Sequence, residues 1–230
     1  MVYPAEGGVL ASARMGEYDR GRVLAALGRE ILDGVRVAVE TGTCQGAGTR
    51  ALAAQFAEVH SIELSAALFL ATRRALRAEG LDHVRLHQGD SAQLLRAIAT
   101  HVSRDPCLYF LDAHWSGDAT VDWGRSPAWR GYGVDTAHRG PAGRAPTAAE
   151  QVPLLDELRA VARHHDARAV LAIDDYALLD EAGRGGRDRG FPGCDWTGID
   201  ADAMRECLGD RVRQWVVREG QLFVELSPRS

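Results

Sequence analysis

The run Val35-Arg-Val-Ala-Val-Glu40-Thr-Gly-Thr-Cys-Gln-Gly-Ala-Gly-Thr49 decides the fold. Valines at 35, 37 and 39 alternate as on a strand, and the strand ends on an acid. Glycines at 42, 46 and 48 then let backbone approach backbone or ligand closely, and residues 48–56 continue with helical period. In an α/β sheet a strand, glycine turn and helix in this order mark the place where a nucleotide-like ligand binds, outside the carboxyl ends of the strands. A diphosphate site would carry Gly-x-Gly-x-x-Gly; here the spacing differs and Glu40 stands beside the turn. A carboxylate repels a diphosphate and attracts an ammonium, so the expected ligand carries a positive amino group.

Outward from this run, short apolar segments at 59–63, 84–88, 107–112 and 169–174 alternate with helical patterns at 66–78, 91–102 and 150–164. Residues 212–217 and 221–225 flank Glu219-Gly220, a two-residue hairpin turn. The predicted fold class is α/β: a Rossmann-like, seven-stranded, mostly parallel sheet with helices on both faces and an antiparallel C-terminal hairpin. A chain of 230 residues, 46% apolar, is expected to form a single domain over 1–230. Its amphipathic stretch 19–32 makes residues 1–34 an N-terminal helical cap over the sheet edge or the ligand site. Residues 116–147, rich in Gly, Pro and Arg and flanked or occupied by Trp115, Trp123, Trp129 and Tyr132, break the rhythm and read as a lid insertion; a packed, inert insertion is the alternative. A second Gly/Arg-rich loop follows at 181–190.

Composition removes several functions. All 27 positive residues are arginine, and the chain has neither lysine nor asparagine. That excludes a P-loop lysine, a pyridoxal-phosphate Schiff base and N-glycosylation. With a net charge of −5 and no long basic run, nucleic acid is not the expected partner. No apolar stretch approaches the roughly 18 residues of a membrane span, and no leader pattern opens the chain, so a soluble cytoplasmic protein acting on a small molecule is expected. Cys44, Cys107, Cys194 and Cys207 are scattered without zinc-site spacing and read as reduced thiols. A homodimer is left open.

The strand ends carry the chemistry. Glu63 closes the second strand at the acidic position that accepts hydrogen bonds from ribose hydroxyls. Asp90 and Ser91 follow the third, where Asp90 either holds an adenine amino group or simply caps the next helix. The fourth and fifth strands end in Asp112-Ala-His114 and Asp174-Asp175. Three carboxylates delivered to one rim repel each other unless some are protonated or a cation is bound, and an all-oxygen set suits a Mg2+-type ion.

The residues Glu40 to Thr49, with Glu63 and Gly89-Asp90, resemble the S-adenosylmethionine site of class I methyltransferases, and in spacing most of all the catechol-type metal-dependent O-methyltransferases. Gly48 stands where that family has serine. The resemblance covers roughly residues 35–175. It implies Glu40 and Gly42 near the methionine part of S-adenosylmethionine, Glu63 on the ribose, and Asp90 or Ser91 near the adenine. Thr41, Thr43, Gly46, Thr49 and Asp112 complete the cofactor site. It further implies Asp112, Asp174 and Asp175 as Mg2+ ligands. The family's base is a lysine, absent here; His114 is the natural substitute, with a metal-ligand or lid-packing role as the alternatives. The expected function is a Mg2+-dependent O-methyltransferase acting on a hydroxyl of a small-molecule acceptor, with natural-product tailoring as one setting. A NAD-dependent oxidoreductase, a Mn2+ glycosyltransferase and a methyltransferase-like binding protein without turnover are the competing readings.

Overall fold

The alternation of strands and helices closes into one seven-stranded sheet of order β3-β2-β1-β4-β5-β7-β6. The structure, a computed structural model, describes residues 18–114, 152–186 and 196–229. The strands are β1 (Val37–Thr41), β2 (Glu58–Glu63), β3 (Val84–Gln88), β4 (Cys107–Leu111), β5 (Ala169–Ile173), β6 (Val212–Arg218) and β7 (Gln221–Leu226). The first five run parallel, and β7 lies antiparallel between β5 and β6. Glu219 and Gly220 both take positive φ, 51° and 80°, as a tight hairpin of matching twist requires. The chain builds outward from β1 to β3 and then returns to lay β4 on the other side of β1. Strand direction of travel therefore reverses between β1 and β4, and a crevice opens at their carboxyl ends.

Strand alternation sorts the core into two layers. One face, with Val39, Ile62, Tyr109, Leu171 and Val224, packs against α4 (Ser91–His101), α5 (Leu154–His164) and α6 (Ala201–Leu208). The other, with Ala38, Leu108, Phe110, Ala172 and Phe223, packs against α1 (Arg20–Leu27) and α2 (Ala47–Ala53). The remaining helix, α3 (Ala66–Ala78), lies along β2 and β3.

Two elements differ from the sequence expectation. Helix α1 stops at Leu27 because Gly28, at φ 107°, turns the chain, although Ile31 and Leu32 beyond it stay buried. It rests on β6 and β7, where Gln214 Nε2 donates to the Leu27 carbonyl and Arg22 pairs with Glu219 at 3.3 Å. Of the two placements open to the cap, its described part thus covers the sheet edge. Helix α6 is unforeseen: Asp200 caps it through the Ala203 N–H, and Met204 and Leu208, four residues apart, bury it. The lid at 116–147 and residues 187–190 of the second loop lie outside the described residues, as do Trp115, Trp123, Trp129 and Tyr132. Among the described residues, Cys44, Cys107 and Cys207 are free thiols, and no helix is long and apolar enough to cross a membrane.

One buried cation knits the far end of the sheet. Arg211, 6% exposed, gives all its bonds to carbonyls: Nε to Ser227, Nη1 to Ala162 and His165, Nη2 to Ala167. These join the end of α5, the approach to β5 and the end of β7. Arg211→Ala leaves the carbonyls without donors and is expected to cost about 2 to 4 kcal/mol in denaturant unfolding. Arg211→Lys, lacking the planar fork, is expected to recover less than half of that loss.

Candidate active site

The glycine turn between β1 and α2 is held from below by β2. The Gly42 and Thr43 N–H groups both donate to the Ile62 carbonyl, at 3.0 and 3.1 Å. Gly42 has φ +86°, and a Cβ there would stand 2.4 Å from the Asp112 carbonyl oxygen, so only glycine lets the turn lie against the end of β4. Cys44 is left-handed, at φ 52°, fixed by its N–H to Glu63 Oε2 at 2.8 Å and by Thr72 Oγ1 donating to its carbonyl. Gly46 comes close to Thr72, and the Thr43 hydroxyl meets Ser61 Oγ at 2.5 Å.

Glu40 does not face outward. Its side chain is 1% exposed, and Oε2 accepts from the Thr49 and Ser61 hydroxyls, each at 2.5 Å. A Cβ on residue 48 would lie 2.3 Å from Oε1, so Gly48 in place of the family's serine is what lets the carboxylate fold inward against α2. Through these bonds Glu40 pins β1, β2 and the start of α2 together. Burial pushes its pKa up to about 7 against the two hydroxyl hydrogen bonds.

Glu63 is 7% exposed, with Oε2 on the Cys44 N–H and Oε1 on the Ser65 N–H at 2.7 Å; burial lifts it to about 7 as well. Asp90 is the N-cap of α4, accepting from Ala92 N–H and from Gln93 Nε2. Ser91 is buried, and its hydroxyl turns toward Glu157 of α5.

At the ends of β4 and β5 the acids meet. Asp112, Asp174, Asp175 and His114 line one cleft together with Glu157 and Trp196. The ligand atoms of Asp112, His114 and Asp175 all lie within 4.8 Å of one another. His114 Nδ1 is 2.9 Å from Asp175 Oδ2 and 3.8 Å from Asp112 Oδ1. Asp174 lines the same cleft, but its Oδ1 accepts from Gln221 Nε2 of β7 at 2.7 Å. Asp175 itself is held left-handed at φ 58°, a costly conformation for a non-glycine residue and one common at functional sites. Burial, then the charges of Asp174, Asp175, Glu40 and Glu157, hold the Asp112 carboxyl well above the carboxylate range.

Sequence reasoning missed two contributors. Glu157 is 1% exposed with Oε1 unpaired, and burial raises it to about 7 while the Ser91 and Thr41 hydroxyls oppose the rise. The signal was present: Leu154, Glu157, Leu158 and Val161 form one helical stripe, and a glutamate within it has to be buried. Trp196, 3% exposed, stands 6.1 Å from His114 between ring centroids. Only tertiary folding brings it there.

No protein-family model and no curated protein matches the chain. Solved structures do. A putative O-methyltransferase from Klebsiella pneumoniae aligns at TM-score 0.51 and 14% identity, over 93% of this chain and 83% of that one. The chain has the fold of the class I methyltransferases. Within that fold it is also similar to an O-methyltransferase from Bacillus cereus in complex with SAH (TM-score 0.50, 14% identity, 92% and 82% covered). The N-terminal domain of EvdMO1 with SAH bound aligns at TM-score 0.50 and 14% identity, over 94% and 83%.

The raised carboxyls set a pH signature for this methyltransferase fold. Glu40, Glu63 and Glu157 move from an ordinary 4.5 to about 7 on folding. The folded protein therefore holds more protons in between, and stability present below 4.5 is lost as pH rises through 7. Calorimetry on the ligand-free protein is expected to show Tm falling between about pH 5 and 8, with a shallower fall in Glu157→Gln. An unchanged slope in that variant would remove Glu157 from the account.

Proposed function

We propose that the chain is an S-adenosylmethionine-dependent O-methyltransferase acting on a hydroxyl of a small molecule, with divalent-cation dependence. The observation that carries this is the placement of Asp112, His114 and Asp175 within 4.8 Å of one another at the reversal of strand order, next to the glycine turn. Because fold alone does not fix function, the argument rests on these side chains.

The turn at 42–46 and Glu63 would hold the donor. Glu63, held by backbone N–H groups of the loop, is placed to accept from ribose hydroxyls. The same two N–H bonds keep the carboxylate from turning away. Gly42, which lets the turn lie against the end of β4, would border the methionine part. Thr41, Thr43, Gly46 and Thr49 shape the turn, and Asp90 or Ser91 border the adenine end.

The donor set fits a cation. Asp112 and Asp175, with Asp174 beside them, offer carboxylate oxygens whose mutual repulsion is relieved by positive charge. These carboxylates would hold a divalent ion such as Mg2+, which would acidify an acceptor hydroxyl. His114 accepts the hydroxyl proton: Asp175 holds Nδ1–H at 2.9 Å, which leaves Nε2 as the acceptor. Trp196 walls the cleft against water. Natural-product tailoring, cytoplasmic location and a homodimer belong to the same proposal.

Calorimetry is expected to show SAH binding and no NAD binding; the reverse makes the chain a nicotinamide protein. Asp112→Ala is expected to abolish cation-dependent methyl transfer. Activity that survives both this change and a chelator overturns the cation reading. His114→Ala is expected to lower kcat by about 100-fold or more and to leave cation affinity within a few-fold. If His114→Ala instead weakens cation affinity, Nδ1 is a metal ligand and not part of the base.

A further inference from the structure

At the opposite end of β2 from Glu63, about 16 Å along the strand, a second cluster stands apart from the methyl-transfer cleft. Glu58, His60 and His101 place one ligand atom each within 4.8 Å of one another. We propose that these three residues bind a divalent transition-metal ion of the Zn2+ class, clamping the β2–β3 edge of the sheet to the end of α4.

Register and helix length build the cluster. Glu58 and His60 share one face of β2 by alternation, and His60 pairs in register with Arg85 of β3. His101 is the last residue of α4, which packs on that same face. His60 is 2% exposed, its Nε2 lies 2.9 Å from Glu58 Oε1, and its ring centroid is 5.9 Å from that of His101.

Three features mark a metal site over a hydrogen-bonded core histidine. The donors are two imidazoles and one carboxylate, the set that zinc takes when it keeps an open position. Behind the donors, His60 Nδ1 meets His87 Nε2 at 3.0 Å with the rings stacked. A ligating Nε2 leaves the proton on Nδ1, and His87 is placed to accept it, the orienting partner that metal-bound histidines have. Finally, a cation already occupies the donors: Arg85 Nη1 is 2.8 Å from Glu58 Oε1 and 3.4 Å from His101 Nε2. Its side chain is 55% exposed and can swing into solvent. Zinc bonds of about 2.0 Å put tetrahedral ligands about 3.3 Å apart, so closure needs side-chain shifts of order 1 Å.

The test is Zn2+ titration by calorimetry on the full chain, freed of metal by chelation and held in excess Mg2+. Wild type is expected to bind one Zn2+ that His101→Ala and Glu58→Gln each weaken by about tenfold or more, and Arg85→Ala is expected to tighten it. Zn2+ is also expected to raise the Tm of wild type and not of His101→Ala. The substituted residues Glu58, Arg85 and His101 reach solvent, so the variants are expected to fold as wild type does, checked by their metal-free Tm. Zn2+ binding equal in wild type, His101→Ala and Glu58→Gln overturns the proposal, as does binding lost only in Asp175→Ala, which would place the ion in the cleft.

Discussion

The Glu63 carboxylate is the constraint on which the candidate donor site depends. One oxygen takes the N–H of left-handed Cys44 and the other the N–H of Ser65, so a single side chain at the tip of β2 holds both the glycine turn and the start of α3. Glu40 does the corresponding work one layer deeper, gathering the hydroxyls of Thr49 and Ser61. Among the described residues, neither acid has a cation as a hydrogen-bond partner. Each is kept by hydrogen bonds from neutral groups, and burial raises each pKa. The turn is rigid because two desolvated acids can be satisfied in only one arrangement.

Farther along the same rim, at the ends of β4 and β5, the acids are crowded together. Asp112, Asp174 and Asp175 crowd one cleft, and β4 and β5, apolar along their lengths, leave these acids no other place. Glu157 adds a fourth carboxyl from α5. Such a rim is stable when protonated, or when a positive charge enters. The glycine-turn end of the rim is thus held by acids bonded to neutral groups, and the β4–β5 end carries acids crowded together.

Much of this was legible in the sequence because it rests on local rules. Alternating valines before Glu40, leucines spaced three and four apart in α4 and α5, and Glu219-Gly220 in the hairpin gave the strands, helices and sheet ends directly. So did the delivery of Asp112 and Asp175 to one rim. What escaped depended on packing. Gly28 ended α1 early in spite of an apolar stripe that continued to Leu32. Helix α6, two turns long, has too few residues to show a period. The inward turn of Glu40 follows from the missing side chain at Gly48, which matters only once α2 lies over β1. Asp90 showed the same limit, since a strand-end acid and a helix cap are one residue in sequence and two roles in space.

The central claim is that a sulfonium donor lies across the turn at 42–46 with its ribose on Glu63. A crystal structure of the chain soaked with S-adenosylhomocysteine tests it most directly. The account predicts both ribose hydroxyls within hydrogen-bond distance of Glu63, the sulfur directed toward Asp112 and His114, and the Cys44 and Ser65 bonds intact. Ligand density elsewhere, or a Glu63 carboxylate with no ribose contact, would contradict it.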